Sequence, residues 1–139
     1  GRGPAPNKDW EQPIGRLDLQ PPAAVDWSRF TIDLPVLMDT GILDMLLWLA
    51  PAKRPTTWPT DTQLPNGATV SIALPAGAAQ PALQLSFTIG AADQPPTAPT
   101  AVNWDAATVD GINTGIHVMA GYDYLFDATG GRIGFRARS

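Results

Sequence analysis

Asp39, Thr40 and Gly41 stand in the most apolar part of the chain, LPVLMDTGILDMLL (34–47). Val36, Leu37 and Met38 precede the acid; Ile42, Leu43, Met45, Leu46 and Leu47 follow Gly41. A carboxylate in such a setting is costly unless it is hydrogen-bonded or protonated. Asp39 is therefore either tied into an Asx-turn, its side-chain oxygen capping the backbone of Gly41 or Ile42, or kept for chemistry. Other chemistry-bearing residues are sparse. The chain has 0 Cys, which removes disulfides and thiolate metal sites, and 1 His, which removes any multi-His metal site. A His-based triad would have to use His117, and no Ser or Cys nucleophile motif surrounds it, so His117 reads as a loop or packing residue.

The elements that must position Asp39 read as short strands. Pro (15 residues) and Gly (13 residues) are spread along the chain and argue against long helices. IGRLDLQ (14–20) alternates apolar and polar positions, as a half-buried strand does. RFTIDLPVLMDTG (29–41) reads as a strand pair or one long bent strand, with Pro35 breaking the ladder. ILDMLLWLA (42–50) reads either as a helix or as a strand followed by a turn. ATVSIALPAG (68–77) and PALQLSFTIG (81–90) form a hairpin, with Val70, Ile72 and Leu74 on one face and Leu83, Leu85, Phe87 and Ile89 on one face. Tyr122 to Asp127 and Arg132 to Arg136 close the chain as a second hairpin around Ala128-Thr129-Gly130-Gly131. The sum is an all-β chain with one or two short helices. Residues 1–13 form a loose leader before a single unit over 14–139.

Composition narrows the function classes. Length is 139 residues, 44% are hydrophobic and 16% charged, which suits one domain with a real core rather than a disordered tail. Net charge is −4 and no dense basic run occurs, so nucleic-acid binding is not expected. No apolar run approaches the roughly 18 residues of a membrane span. The chain starts at Gly1 without Met; a processed or trimmed product is expected, and the cysteine-free, low-lysine, Pro-rich composition fits an exported or periplasmic bacterial protein. The five Trp, dispersed near Pro or Asp, suit core and rim packing better than a carbohydrate platform.

An apolar run, Asp-Thr-Gly, then apolar residues resembles the active-site loop of the pepsin- and retropepsin-like aspartic peptidases. Two further stretches carry the resemblance. Val118-Met119-Ala120-Gly121 is similar to the hydrophobic-hydrophobic-Gly segment packed beside the catalytic loop in that family. DYLFDATGGRIGF (123–135) is similar to the closing hairpin of a pepsin-like lobe, most like a C-terminal one. The resemblance implies a closed acid-protease-type barrel lobe. It implies Asp39 as catalytic carboxylate, with Thr40, Gly41 and Gly121 supporting the loop and no metal or cofactor. Two facing carboxylates in such a site share one proton and activate a water against a peptide bond. The implied partners are a peptide or protein substrate and whatever supplies the second Asp: another lobe, or an identical subunit on a two-fold axis.

Several positions depart from the family pattern. Ile42 and Leu43 follow Gly41 where Ser or Thr often stands. Asp44 occupies the place of a substrate-gripping acid in the retroviral type, and reads alternatively as a helix-start or solvent residue. The nearest internal echo, Asn113-Thr114-Gly115, has an Asn that cannot ionise and is not assigned as a second catalytic loop. The competing reading is a non-catalytic binding or structural domain on the same fold, one that keeps Asp-Thr-Gly for loop geometry.

Overall fold

A computed structural model describes residues 12–54, 58 and 63–139. The expected leader, 1–13, lies almost wholly outside the described residues. Among the described residues there are nine strands: β1 (Ile14–Gln20), β2 (Phe30–Leu37), β3 (Met45–Leu49), β4 (Thr69–Leu74), β5 (Leu83–Thr88), β6 (Val102–Ala106), β7 (Gly111–Asn113), β8 (Tyr122–Asp127) and β9 (Arg132–Ala137). The helical element among the described residues is a short 3-10 helix, Ile116–Ala120.

Seven strands make one sheet in the order β5-β4-β1-β2-β7-β3-β6, and β8-β9 is a separate two-stranded sheet. The large sheet curls on itself, so the chain is an all-β, barrel-like lobe. Alternation dictates which faces turn inward. Leu17 and Leu19 of β1, Val70, Ile72 and Leu74 of β4, and Leu83, Leu85 and Phe87 of β5 are all buried. A residue period of two places them on one side of the pleat, and removing that apolar area from water is the main drive to fold.

The segment with two readings, 42–50, is a loop followed by strand β3. Its five residues MLLWL bury Met45, Leu47 and Leu49 in strict alternation. β3 pairs parallel with β6 and antiparallel with β7, so it lies inside the sheet, where near-continuous apolar sequence belongs. Pro35 stands where β2 passes from β1 to β7: Ile14 opposes Pro35, and Val36 opposes Ile112. A residue without an N–H is tolerated at such a junction.

Candidate functional site

β2 delivers the chain into the 38–44 loop and β3 carries it away. Between these two strands lies β7, parallel to β2 and antiparallel to β3. The loop therefore arches over the end of a strand that arrives some seventy residues later. Three hydrogen bonds to the end of β7 and the turn after it flank Asp39 or reach it: Thr114 N–H donates to Leu37 O (2.9 Å), Ile116 N–H donates to Ile42 O (2.9 Å), and Asp39's own N–H donates to the side-chain oxygen of Asn113 (3.1 Å). Gly115 N–H donates to that same Asn113 oxygen at 3.1 Å.

Asp39 itself is exposed. Its Oδ1 accepts the N–H of Gly41 at 2.7 Å, forming an Asx-turn. Gly41 suits the position because a Cβ there would lie 3.1 Å from Oδ1 and crowd the carboxylate. Among the described residues Oδ2 has no hydrogen bond. Thr40 is exposed beside it.

Behind the carboxylate lies a pocket of about 460 Å³ walled by Leu37, Met38, Met119, Tyr124 and Phe126, with Asp39 and Thr40 completing the lining. The hairpin β8-β9 supplies its aromatic wall. Tyr124 meets Phe126 edge-on at 4.9 Å and Phe135 at 5.1 Å. Burial pushes the Tyr124 phenol up, against the opposing effect of a hydrogen bond from the Met38 backbone. Phe126 is 64% exposed, so the pocket's mouth carries a large apolar ring.

The remaining residues singled out by sequence fall as follows. Asp44 is half-buried and its Oδ2 accepts the Asn103 amide at 3.0 Å, which ties the end of the loop to β6. Gly121 ends the 3-10 helix: its N–H donates to Val118 O and its carbonyl accepts from Arg138 N–H. The segment hydrogen-bonded to the Asp39 loop is thus 113–116, while 118–121 gives Met119 to the pocket wall. His117 lies in the 3-10 helix with a buried Nε2 that has no hydrogen-bond partner among the described residues. Trp27, Trp58 and Trp104 are buried in one cluster, Trp58 lying 5.9 Å from Trp27 and 5.1 Å from Trp104. Among the described residues no group of three His, Asp or Glu is placed to hold a metal ion, and no helix is long and apolar enough to cross a membrane.

Sequence reasoning overlooked Asn113 and Gly115 as partners of the loop and Tyr124 and Phe126 as pocket walls. A signal for the first pair existed in Asn113-Thr114-Gly115, where Asn113 and Thr114 are the buried polar side chains of the described residues. Compared with family models, with curated proteins and with solved structures, the chain matches none of them.

Proposed function

We propose that this lobe is one half of an aspartic-type peptidase, with Asp39 as its catalytic carboxylate. The observation that carries the reading is the loop: an exposed Asp39, its Oδ1 fixed by Gly41 N–H, held by β2, β3 and an inserted β7 at the edge of an apolar pocket. Such a mount leaves Oδ2 free for chemistry. The second carboxylate comes from a second copy or another lobe. The two then share a proton, because like charges at contact distance do not both ionise readily. A water between them gives its proton to the ionised carboxylate as it attacks the scissile carbonyl, and the protonated partner donates to the carbonyl oxygen. Thr40 faces outward, where its hydroxyl can bond to the opposing loop.

A second reading has its own observation. The Asx-turn at Asp39 is sufficient by itself to explain an Asp before Thr-Gly, and each chain brings a single Asp-Thr-Gly carboxylate. On that reading the domain binds or builds without cleaving.

Asp39→Asn separates the two. The Asn amide oxygen still accepts the Gly41 N–H, so the turn survives while the ionisable group is lost. Cleavage of an unfolded protein at mildly acidic pH, assayed with sedimentation of the same samples over a range of concentrations, is expected to fall by about 10²- to 10⁴-fold in this variant. It is also expected to be blocked by pepstatin. Equal cleavage by the variant, or none by a wild-type chain that sediments as a dimer, sinks the peptidase reading and leaves the binding domain.

A further inference from the structure

We infer that Asn113 is a positioning residue for Asp39, a neutral acceptor that fixes the backbone of the carboxylate without placing a second charge behind it. Its catalytic part rests on the peptidase reading above; its positioning part rests on geometry alone.

Asn113 closes β7, a three-residue strand buried throughout. It is 5% exposed, in a place where the sheet otherwise asks for an apolar side chain. A polar group there is costly unless paired, and a residue that breaks the local pattern marks a site with a task. The pairing is specific. One oxygen, Oδ1, takes the N–H of Asp39 at 3.1 Å and that of Gly115 at 3.1 Å. It is the side chain that reaches Asp39's own backbone; the flanking bonds to Leu37 O and Ile42 O are made by backbone groups.

Alternatives at this position show why an amide is suited. Leu would fill the space and leave two N–H groups unpaired, the buried one of Gly115 and the part-buried one of Asp39. Asp would accept both N–H groups equally well but would add a carboxylate directly behind the catalytic one. A dyad already shares one proton between two carboxyls, and a third acid would raise its demand for protons. Asn meets both requirements, shape and neutrality. Other ionisable groups near the loop include Asp44, bonded to Asn103, Tyr124 across the pocket, and His117, next to Ile116, whose N–H donates to Ile42 O.

The test uses the whole chain with Asn113→Leu and Asn113→Asp, each checked for fold by circular dichroism. Backbone amide exchange is read by NMR, and cleavage is read as kcat and KM against pH. In N113L the Asp39 and Gly115 amides are expected to exchange at least about tenfold faster. Its kcat is expected to drop by about tenfold or more while KM stays nearly fixed, the mark of lost transition-state positioning. N113D should keep both amides protected yet move the pH profile of kcat upward by about half a unit or more. The inference is overturned if N113L leaves both amides and kcat unchanged. It is equally overturned if N113D follows the wild-type profile at every pH. Altered amide exchange without any cleavage by a wild-type chain that sediments as a dimer upholds the positioning role and removes the peptidase reading. Asp39-dependent cleavage untouched by N113L does the reverse. If N113L fails to fold, the N113D profile decides alone.

Discussion

Replacing Gly115 by Ala tests the support of the Asp39 loop most directly. Gly115 sits at φ 71°, ψ −179°, a conformation essentially confined to glycine. A Cβ built there lies 2.6 Å from the Asp44 carbonyl oxygen and 3.1 Å from that of Ile42. Both are backbone atoms of the loop, and Ile42 O already accepts a hydrogen bond from Ile116 N–H, so neither can step aside cheaply. Backbone strain of this kind is worth about 1–3 kcal/mol. Forcing a methyl into a filled space adds about 1–3 kcal/mol. The reduced freedom of the unfolded chain returns about 0.4–1 kcal/mol. The net expectation is a loss of about 1–5.5 kcal/mol, a large fraction of an ordinary domain's stability. With a urea m-value of about 2 kcal/mol/M, the midpoint falls by roughly 0.5–3 M. Gly121→Ala is the matched control. Its backbone, φ −125° and ψ −9°, is open to any residue, and its new Cβ would meet only the Thr97 methyl at 3.1 Å. That variant should lose under about 1 kcal/mol. Urea unfolding followed by the fluorescence of the buried Trp cluster reads both. A G115A loss below about 1 kcal/mol, or a G121A loss equal to it, refutes the assignment of 113–116 as the loop's support.

Two further expectations follow from bonds elsewhere in the lobe. The Tyr122 hydroxyl accepts from Gln84 N–H (3.1 Å) and donates to Gln84 O (3.0 Å), covering a backbone pair on β5, the edge of the sheet. Tyr122→Phe should cost about 1 kcal/mol and bring concentration-dependent light scattering, since an uncovered edge invites strand pairing; unchanged scattering and unfolding would refute that role. For Asp110, burial works against ionisation, but the Ala50 N–H at 2.8 Å and the Lys53 ammonium at 2.6 Å outweigh it and hold the carboxyl below the usual carboxylate range. A folded-state value below the unfolded one contributes stability above the unfolded value, and this is lost as pH falls through the folded value. The gap in urea midpoint between wild type and Asp110→Asn should therefore be widest near neutrality and shrink below about pH 4; a gap constant with pH would refute it.

The strands legible in the sequence are those with an alternating face. Leu17 and Leu19, Val70 to Leu74 and Leu83 to Phe87 announced their burial by period alone, and the 122–137 hairpin by its turn. β3 was ambiguous because MLLWL is apolar at every position, which suits an interior strand and a buried helix alike. β6 carries only a short signal, Val102 and Trp104 alternating with Asn103 and Asp105. β7 has three residues, too few for any periodicity, and its position between β2 and β3 is a tertiary fact. Asp39, Thr40 and Gly41 could be picked out locally because an acid among apolar residues stands out. Asn113 could not be joined to them, since their contact spans 74 positions.

That span has a consequence for how the protein comes into being. A ribosome makes the 34–47 segment long before Asn113 exists, so the nascent chain carries Asp39 on an arch with nothing beneath it. β2 and β3 acquire their common neighbour only when β7 emerges, and the closing of so long a loop is entropically the late and slow part of folding. An interrupted translation product ending before Gly111 would hold every residue of the Asp-Thr-Gly motif and no seat for it. The seat of the Asp39 loop is therefore complete only once β7 and the turn after it have been made.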